Sequence, residues 1–164
     1  MTRPILLVVA LLVAQCVSAT PSGMQMVGQA RLHFMFWPVY DSRLYTPDGE
    51  FQEGQRPLRL EIEYLRDVTS ADLVEHTRKE WQRLQPLAVP EQEWLQTLSG
   101  LWPDVGKNDV LALALDERGR STFLLNGRSL GSMDDPAFGQ RFLDIWLSPA
   151  TSRPDLRLAL LGRD

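Results

Sequence analysis

Hydrophobic and polar side chains alternate along several stretches of the chain, which predicts β-strands with one buried face. Residues 27–46 predict two strands joined by a tight corner, and Pro38 breaks the ladder between them. Within 31–37 the odd positions share one strand face and the even positions share the other. Further strands are predicted at residues 58–65, 110–115 and 121–125, the last two forming a hairpin.

Apolar residues recur at helical spacing in four other stretches. Thr69 predicts the N-cap of a helix that starts at Ser70, and Asp135 followed by Pro136 predicts a cap with proline at the first helical position. Residues 126–146 predict a strand, a turn and this capped helix. Two more helices are predicted at 91–101 and 154–161. Because the strands are not regularly interleaved with helices, the order predicts an α+β fold, an antiparallel sheet with helices packed on one face.

The first nineteen residues have the pattern of a secretory signal peptide. An apolar run covers residues 5–14, which is too short to span a bilayer, and Val17-Ser18-Ala19 offers small residues for cleavage after Ala19. We therefore expect residues 20–164 to form one domain, located in the periplasm without a stable membrane anchor. Two alternatives remain open: an uncleaved anchor, or a lipoprotein modified at Cys16, although Gln15 is not the small residue such a signal prefers.

Composition excludes several functional classes. The formal net charge is −4, and the chain has no basic stripe, so nucleic acid is not expected as a partner. The single cysteine lies in the leader, so the mature protein would lack thiol nucleophiles, disulfides and cysteine metal sites. Only two histidines occur, 43 positions apart, which makes a hydrolase triad or a metal site difficult to assemble.

Arg31 is the main candidate for ligand binding, because a guanidinium inside a mostly apolar strand needs a partner. It could anchor the carboxylate, phenolate or propionate of an amphipathic ligand. Alternatively, it lies on the wet face of the sheet or pairs with Asp41 or Glu61. His33 and Met35 share its predicted face and are possible haem ligands, or simply half-exposed residues.

Several motifs together resemble the chalcone-isomerase-like proteins that bacteria export. Gly28-x-x-Arg31 and residues 39–45 resemble the opening of the fold, and Tyr64-Leu65-Arg66-Asp67 resembles its strand-to-helix junction. Residues 126–146 and 156–162 resemble the family's ending, so the similarity covers roughly residues 27–162.

This resemblance implies an open-faced β-sandwich in which a large antiparallel sheet and its helices enclose a ligand cleft. Plant members cyclise chalcones in a cleft that uses an arginine, a threonine, a tyrosine and an asparagine. Arg31 matches the arginine, Tyr40 stands at the threonine, and Leu73 and Glu80 stand near the other two positions. Other branches are non-catalytic, and they bind fatty acids or resemble haem binders.

These observations predict a non-catalytic periplasmic binding protein for a hydrophobic ligand with an acidic group, of the fatty-acid or haem class. Arg31 and Tyr40 are the expected binding residues. An isomerase or lyase acting on an enone is the alternative, with Arg31 stabilising an oxyanion and Tyr40 handling a proton. A further alternative is a structural or interaction protein of the envelope, with an unknown protein partner.

Overall fold

The computed structural model describes residues 21–163, so the predicted leader lies outside the described residues. It contains one antiparallel sheet of six strands that follow one another in chain order. The strands are β1 Gln25–Phe34, β2 Trp37–Thr46, β3 Leu58–Tyr64, β4 Val110–Leu115, β5 Ser121–Leu125 and β6 Arg128–Met133. The predicted antiparallel sheet is therefore confirmed, but Pro38 lies inside β2 and the corner falls at residues 35–36.

In the described part of the chain, four helices complete the fold: α1 Ser70–Leu84, α2 Val89–Leu101, α3 Pro136–Leu147 and α4 Pro154–Leu160. The predicted caps are present, since the Thr69 side chain accepts from the Asp72 N–H and the Asp135 side chain accepts from the Ala137 N–H. Among residues 21–163, no helix is long and apolar enough to cross a membrane.

The helices cover one face of the sheet, and strand register determines which residues meet them. Ser42 pairs with Ile62, and Ile62 pairs with Leu111, so these three side chains share the covered face. The opposite, open face carries ion pairs between Arg31 and Asp41, Arg43 and Glu63, and Arg59 and Glu61. The sheet therefore has one apolar face against the helices and one charged face.

Aromatic rings fill much of the space between the two layers. Phe123 on β5 makes edge contacts with Trp102, Phe138 and Phe142, with ring centroids 5.2 to 5.9 Å apart. Trp81 in α1 is fully buried. These rings fix the spacing between the sheet and the helices.

Close approach of backbones fastens α4 to the edge strand β1. A Cβ atom at Gly28 would lie 2.2 Å from the carbonyl oxygen of Ala159, so only glycine fits there. This contact explains physically why glycine stands three residues before Arg31.

Candidate ligand-binding cavity

A cavity of about 390 Å³ lies between the covered face of the sheet and helices α1 and α3. This volume falls in the range of small-molecule sites, roughly 300–1,000 Å³. Most of the wall is apolar or aromatic and comes from Leu32, Val39, Tyr40, Leu60, Ile62, Tyr64, Leu73, Trp102, Leu111, Leu113, Phe123, Phe142 and Trp146. The arrangement can hold a hydrophobic molecule by excluding it from water.

The polar residues of the cavity cluster where the chain leaves β3 and enters α1: Arg66, Asp67, Asp72, His76 and Thr77. The acidic side chains already have local partners, because Asp67 accepts from the Lys107 N–H at 3.0 Å and Asp72 accepts from the Thr69 hydroxyl at 2.8 Å. Exposed Arg66 has no hydrogen bond or ion pair with any residue from 21 to 163. A ligand with an acidic group would therefore find a guanidinium here that has no direct ion-pair partner, although two carboxylates line the same end of the cavity.

Tyr40 and Trp146 form a hydrogen-bonded part of the wall. Trp146 Nε1 donates to the Tyr40 hydroxyl oxygen at 3.0 Å, and burial raises the pKa of Tyr40 to about 12. Tyr64 packs edge-on against Tyr40 with centroids 6.2 Å apart, and burial raises its pKa even further. Both phenols are therefore neutral at ordinary pH.

A second, more polar pocket of about 310 Å³ lies behind this wall. Leu32, Tyr40, His76 and Trp146 border both spaces. Buried Glu80 accepts from the Ser152 hydroxyl at 2.8 Å on this side. Desolvation lowers the pKa of His76, although its side chain stays exposed at one edge.

The structure does not bring Arg31 and Tyr40 into one site. Leu32 pairs with Tyr40 across β1 and β2, so Arg31 lies on the opposite face of the sheet. There its Nε and Nη2 donate to the two carboxylate oxygens of Asp41 at 2.6 and 2.7 Å, which raises the pKa of Arg31 and lowers that of Asp41. The pairing with Asp41, one of the alternatives from the sequence, is the one the structure has.

His33 and Met35 also lie outside the cavity. Both are exposed, and Met35 occupies the hairpin corner with a φ of 56°. Within the described part of the chain, no group of three or more His, Cys, Asp or Glu side chains could hold a metal ion. The haem class stays a prediction, and its two candidate ligands, His33 and Met35, lie outside this cavity.

Sequence reasoning placed Tyr40 and Leu73 near the cleft, and the structure has both in the cavity wall. It did not single out Arg66 as a binding residue. The available signal was local: Arg66 lies two residues after the end of the alternating strand β3 and three before the Thr69 cap, where the chain passes from sheet to helix. Charged residues at such junctions can face the end of the space between the layers.

Comparisons with known proteins agree with this architecture. The family model described as chalcone isomerase-like matches residues 13–162. An uncharacterised protein of Haemophilus influenzae is 32% identical over 148 residues, which cover 89% of this chain and 72% of that protein. The crystal structure of an Arabidopsis thaliana fatty-acid binding protein, AtFAP1, superposes with a TM-score of 0.67 at 12% identity and covers 88% of this chain and 90% of the other.

The match of the family model over most of the chain confirms the resemblance seen in the motifs, and the structural similarity confirms the open-faced α+β fold. The chain belongs to the chalcone isomerase-like family.

Proposed function

We propose that this protein binds a hydrophobic small molecule with an acidic group, of the fatty-acid class, without transforming it. The observation that carries the proposal is the apolar cavity of about 390 Å³ with Arg66, which makes no direct ion pair, in its wall. Apolar walls favour an alkyl chain, and a guanidinium suits a carboxylate. The fatty-acid binding described for the structural neighbour AtFAP1 gives further support.

In this arrangement Arg66, rather than Arg31, is the anchor of the acidic group. The Arg31 guanidinium already donates to both carboxylate oxygens of Asp41 on the open face of the sheet. It is therefore not available to a ligand in the cavity. Tyr40 lies in the wall, and its raised pKa of about 12 favours a positioning role over proton abstraction. We expect no turnover when the protein is incubated with a panel of chalcones and other enones across several pH values.

The test is a titration with dodecanoic acid and with its methyl ester, each against three variants. Arg66→Ala is expected to weaken dodecanoate binding by about 10- to 150-fold, since a hydrogen bond to a charged group contributes about 1.5–3 kcal/mol. The affinity for the methyl ester, which carries no charge, should fall much less in this variant. Leu73→Trp should weaken both ligands because it fills the cavity.

Arg31→Ala is the matched control, since it removes an exposed arginine from the other face of the sheet. It should leave the affinity for both ligands unchanged. The proposed site would be contradicted if Arg31→Ala and Arg66→Ala weakened dodecanoate binding equally, or if Leu73→Trp did not weaken the binding of either ligand. An absorption spectrum of the recovered protein tests the haem class separately, because bound haem would give a Soret band.

We further propose that the protein acts in the periplasm. The support is the pattern of residues 1–19, a short positive start, an apolar run and small residues before Thr20. N-terminal sequencing of protein expressed from the full-length gene should begin at Thr20. A retained Met1 or a lipid on Cys16 would overturn cleavage after Ala19.

A further inference from the structure

The corner between β1 and β2 exposes four large apolar residues in a row. Phe34, Met35, Phe36 and Trp37, the hairpin tip, are 61%, 76%, 89% and 73% exposed. The other exposed large hydrophobic residues between 21 and 163, Met26, Val89 and Leu158, are scattered singly. Isolated apolar residues are ordinary on a protein surface, whereas a contiguous patch marks an interaction site.

The hairpin tip projects beyond the rest of the sheet. Phe34 pairs with Trp37 to close the hairpin, but the ladder between β2 and β3 begins only at Tyr40, opposite Tyr64. Since the Leu65 N–H still bonds to Val39, Trp37 and Pro38 extend past the last backbone contact, a projection of about 7 Å at roughly 3.3 Å per residue. This length matches the depth of about 5–10 Å to which interfacial segments enter the boundary of a bilayer.

The residue types suit a lipid interface. From Leu32 to Tyr40 the chain has no Asp, Glu, Lys or Arg, so insertion would not dehydrate a formal charge. Tryptophan favours the region between headgroups and acyl chains, and phenylalanine occurs with it on the apolar face of interfacial helices. A projecting apolar tip can insert directly into a lipid bilayer, whereas binding to a protein would require a complementary pocket on that partner.

The base of the tip is continuous with the cavity. Leu32 and Val39, which flank it, both line the cavity wall. The backbone N–H of Leu65 donates to the carbonyl oxygen of Val39, which places neighbouring Arg66 at this same end of the sheet. A membrane that received the tip would therefore lie beside the polar end of the cavity.

We propose that the Phe34–Trp37 hairpin tip docks the protein onto the surface of a lipid bilayer. Docking depends on the tip alone, whereas passage of a ligand between bilayer and cavity rests on the function proposed above. Because the tip carries no charge and the chain has a net charge of −4, binding should not require anionic lipid and should persist at high salt.

Co-flotation with phosphatidylcholine vesicles tests this, using protein recovered from expression of the full-length gene with its N-terminus determined by mass spectrometry. The double variant Phe36→Ser/Trp37→Ser should reduce vesicle partitioning by at least about tenfold, since two exposed side chains then lose their apolar transfer energy. Val89→Ser, which replaces another exposed apolar side chain, in α2, is the control and should not change partitioning. Both variants replace exposed side chains, and circular dichroism checks that they fold.

Equal partitioning of the double variant and the control would overturn the proposal. So would an absence of wild-type flotation combined with a dimer that the double variant loses, because the tip would then contact a second copy. Dodecanoate affinity separates the two proposals, since none of the tip residues lines the cavity. The double variant should bind dodecanoate normally, whereas Arg66→Ala should float normally.

Discussion

The protein contains two arginine–carboxylate pairs that differ in burial, one on the open face of the sheet and one among the helices. Their comparison illustrates that burial, more than distance, determines how much stability is lost when a pair is broken. The Arg31 side chain is 53% exposed and lies 2.6 Å from Asp41, whereas the Arg141 side chain is 9% exposed and lies 3.1 Å from Glu91. The shorter pair is screened by water, and exposed pairs contribute little to stability. The buried pair would leave a costly charge behind if either partner were removed.

Arg141 also connects three helices. Its guanidinium donates to the carbonyl oxygen of Trp81 at 3.1 Å and lies over the Trp81 ring, while Trp81 Nε1 donates back to the carbonyl oxygen of Arg141 at 2.9 Å. Glu91 in turn accepts from the backbone N–H of Ala88 and caps α2. The buried charge pair therefore connects α1 and α3, which border the cavity, with α2.

The largest effect is expected from breaking this pair. Arg141→Met should lower the free energy of unfolding by about 3–5 kcal/mol, because Glu91 is left buried without its partner. The double variant Arg141→Met/Glu91→Met should regain part of the loss, since no lone charge remains. Urea unfolding measures both, and a cost below about 1 kcal/mol for the single variant would mean that the buried pair resembles the open-face pair.

A smaller effect is expected at the cavity wall, where two buried tyrosines differ in one hydrogen bond. Tyr40→Phe should cost about 1–3 kcal/mol, because the N–H of Trp146 loses its acceptor inside the protein. Tyr64→Phe is the control, since among residues 21–163 its hydroxyl has no hydrogen-bond partner, and it should change stability much less. Equal losses in thermal or urea unfolding would show that ring packing, rather than this hydrogen bond, is responsible.

The smallest effect concerns the open face and its dependence on pH. Arg31 holds the pKa of Asp41 below its ordinary value of 3.8, so the carboxylate stabilises the fold above that pH. This stabilisation is lost as pH falls through the lowered pKa of the folded state. Asp41→Asn should therefore reduce the loss of stability on acidification below about pH 4, and unfolding curves collected across that window measure it. If the stability of Asp41→Asn falls with pH as steeply as that of the unsubstituted protein, other carboxylates dominate the acid destabilisation.

Much of the fold was predictable because it rests on local signals. Thr69 and Asp135 cap helices through contacts two or three residues away, and both helices begin where those caps predict. The hairpin of β4 and β5 has the predicted bounds, since alternation and turn residues define it locally. By contrast, Pro38 was expected to break the ladder, but it stays inside β2 opposite His33. The β1–β2 register shifts beside it, and it lies beyond the last pair with β3, where a proline is tolerated.

Burial of Arg141 could not be predicted in the same way. Its partners, Trp81 and Glu91, lie 60 and 50 residues away in the chain, and no local pattern distinguishes it from an exposed helical arginine. The sequence favoured Arg31 as the ligand anchor because it interrupts a mostly apolar strand. In the structure it is hydrogen-bonded to Asp41 of β2 on the exposed face of the sheet instead.

The sequence by itself determined the strands, the helices, their caps and the family, because these depend on residues close together in the chain or on motifs in order. Only the tertiary structure decided which face of the sheet the helices cover and therefore where the cavity lies. The pairing of Leu32 with Tyr40 puts Arg31 outside, and the turn after β3 brings Arg66 to the cavity. Alternation gives every strand two faces, but long-range packing chooses the one that is buried.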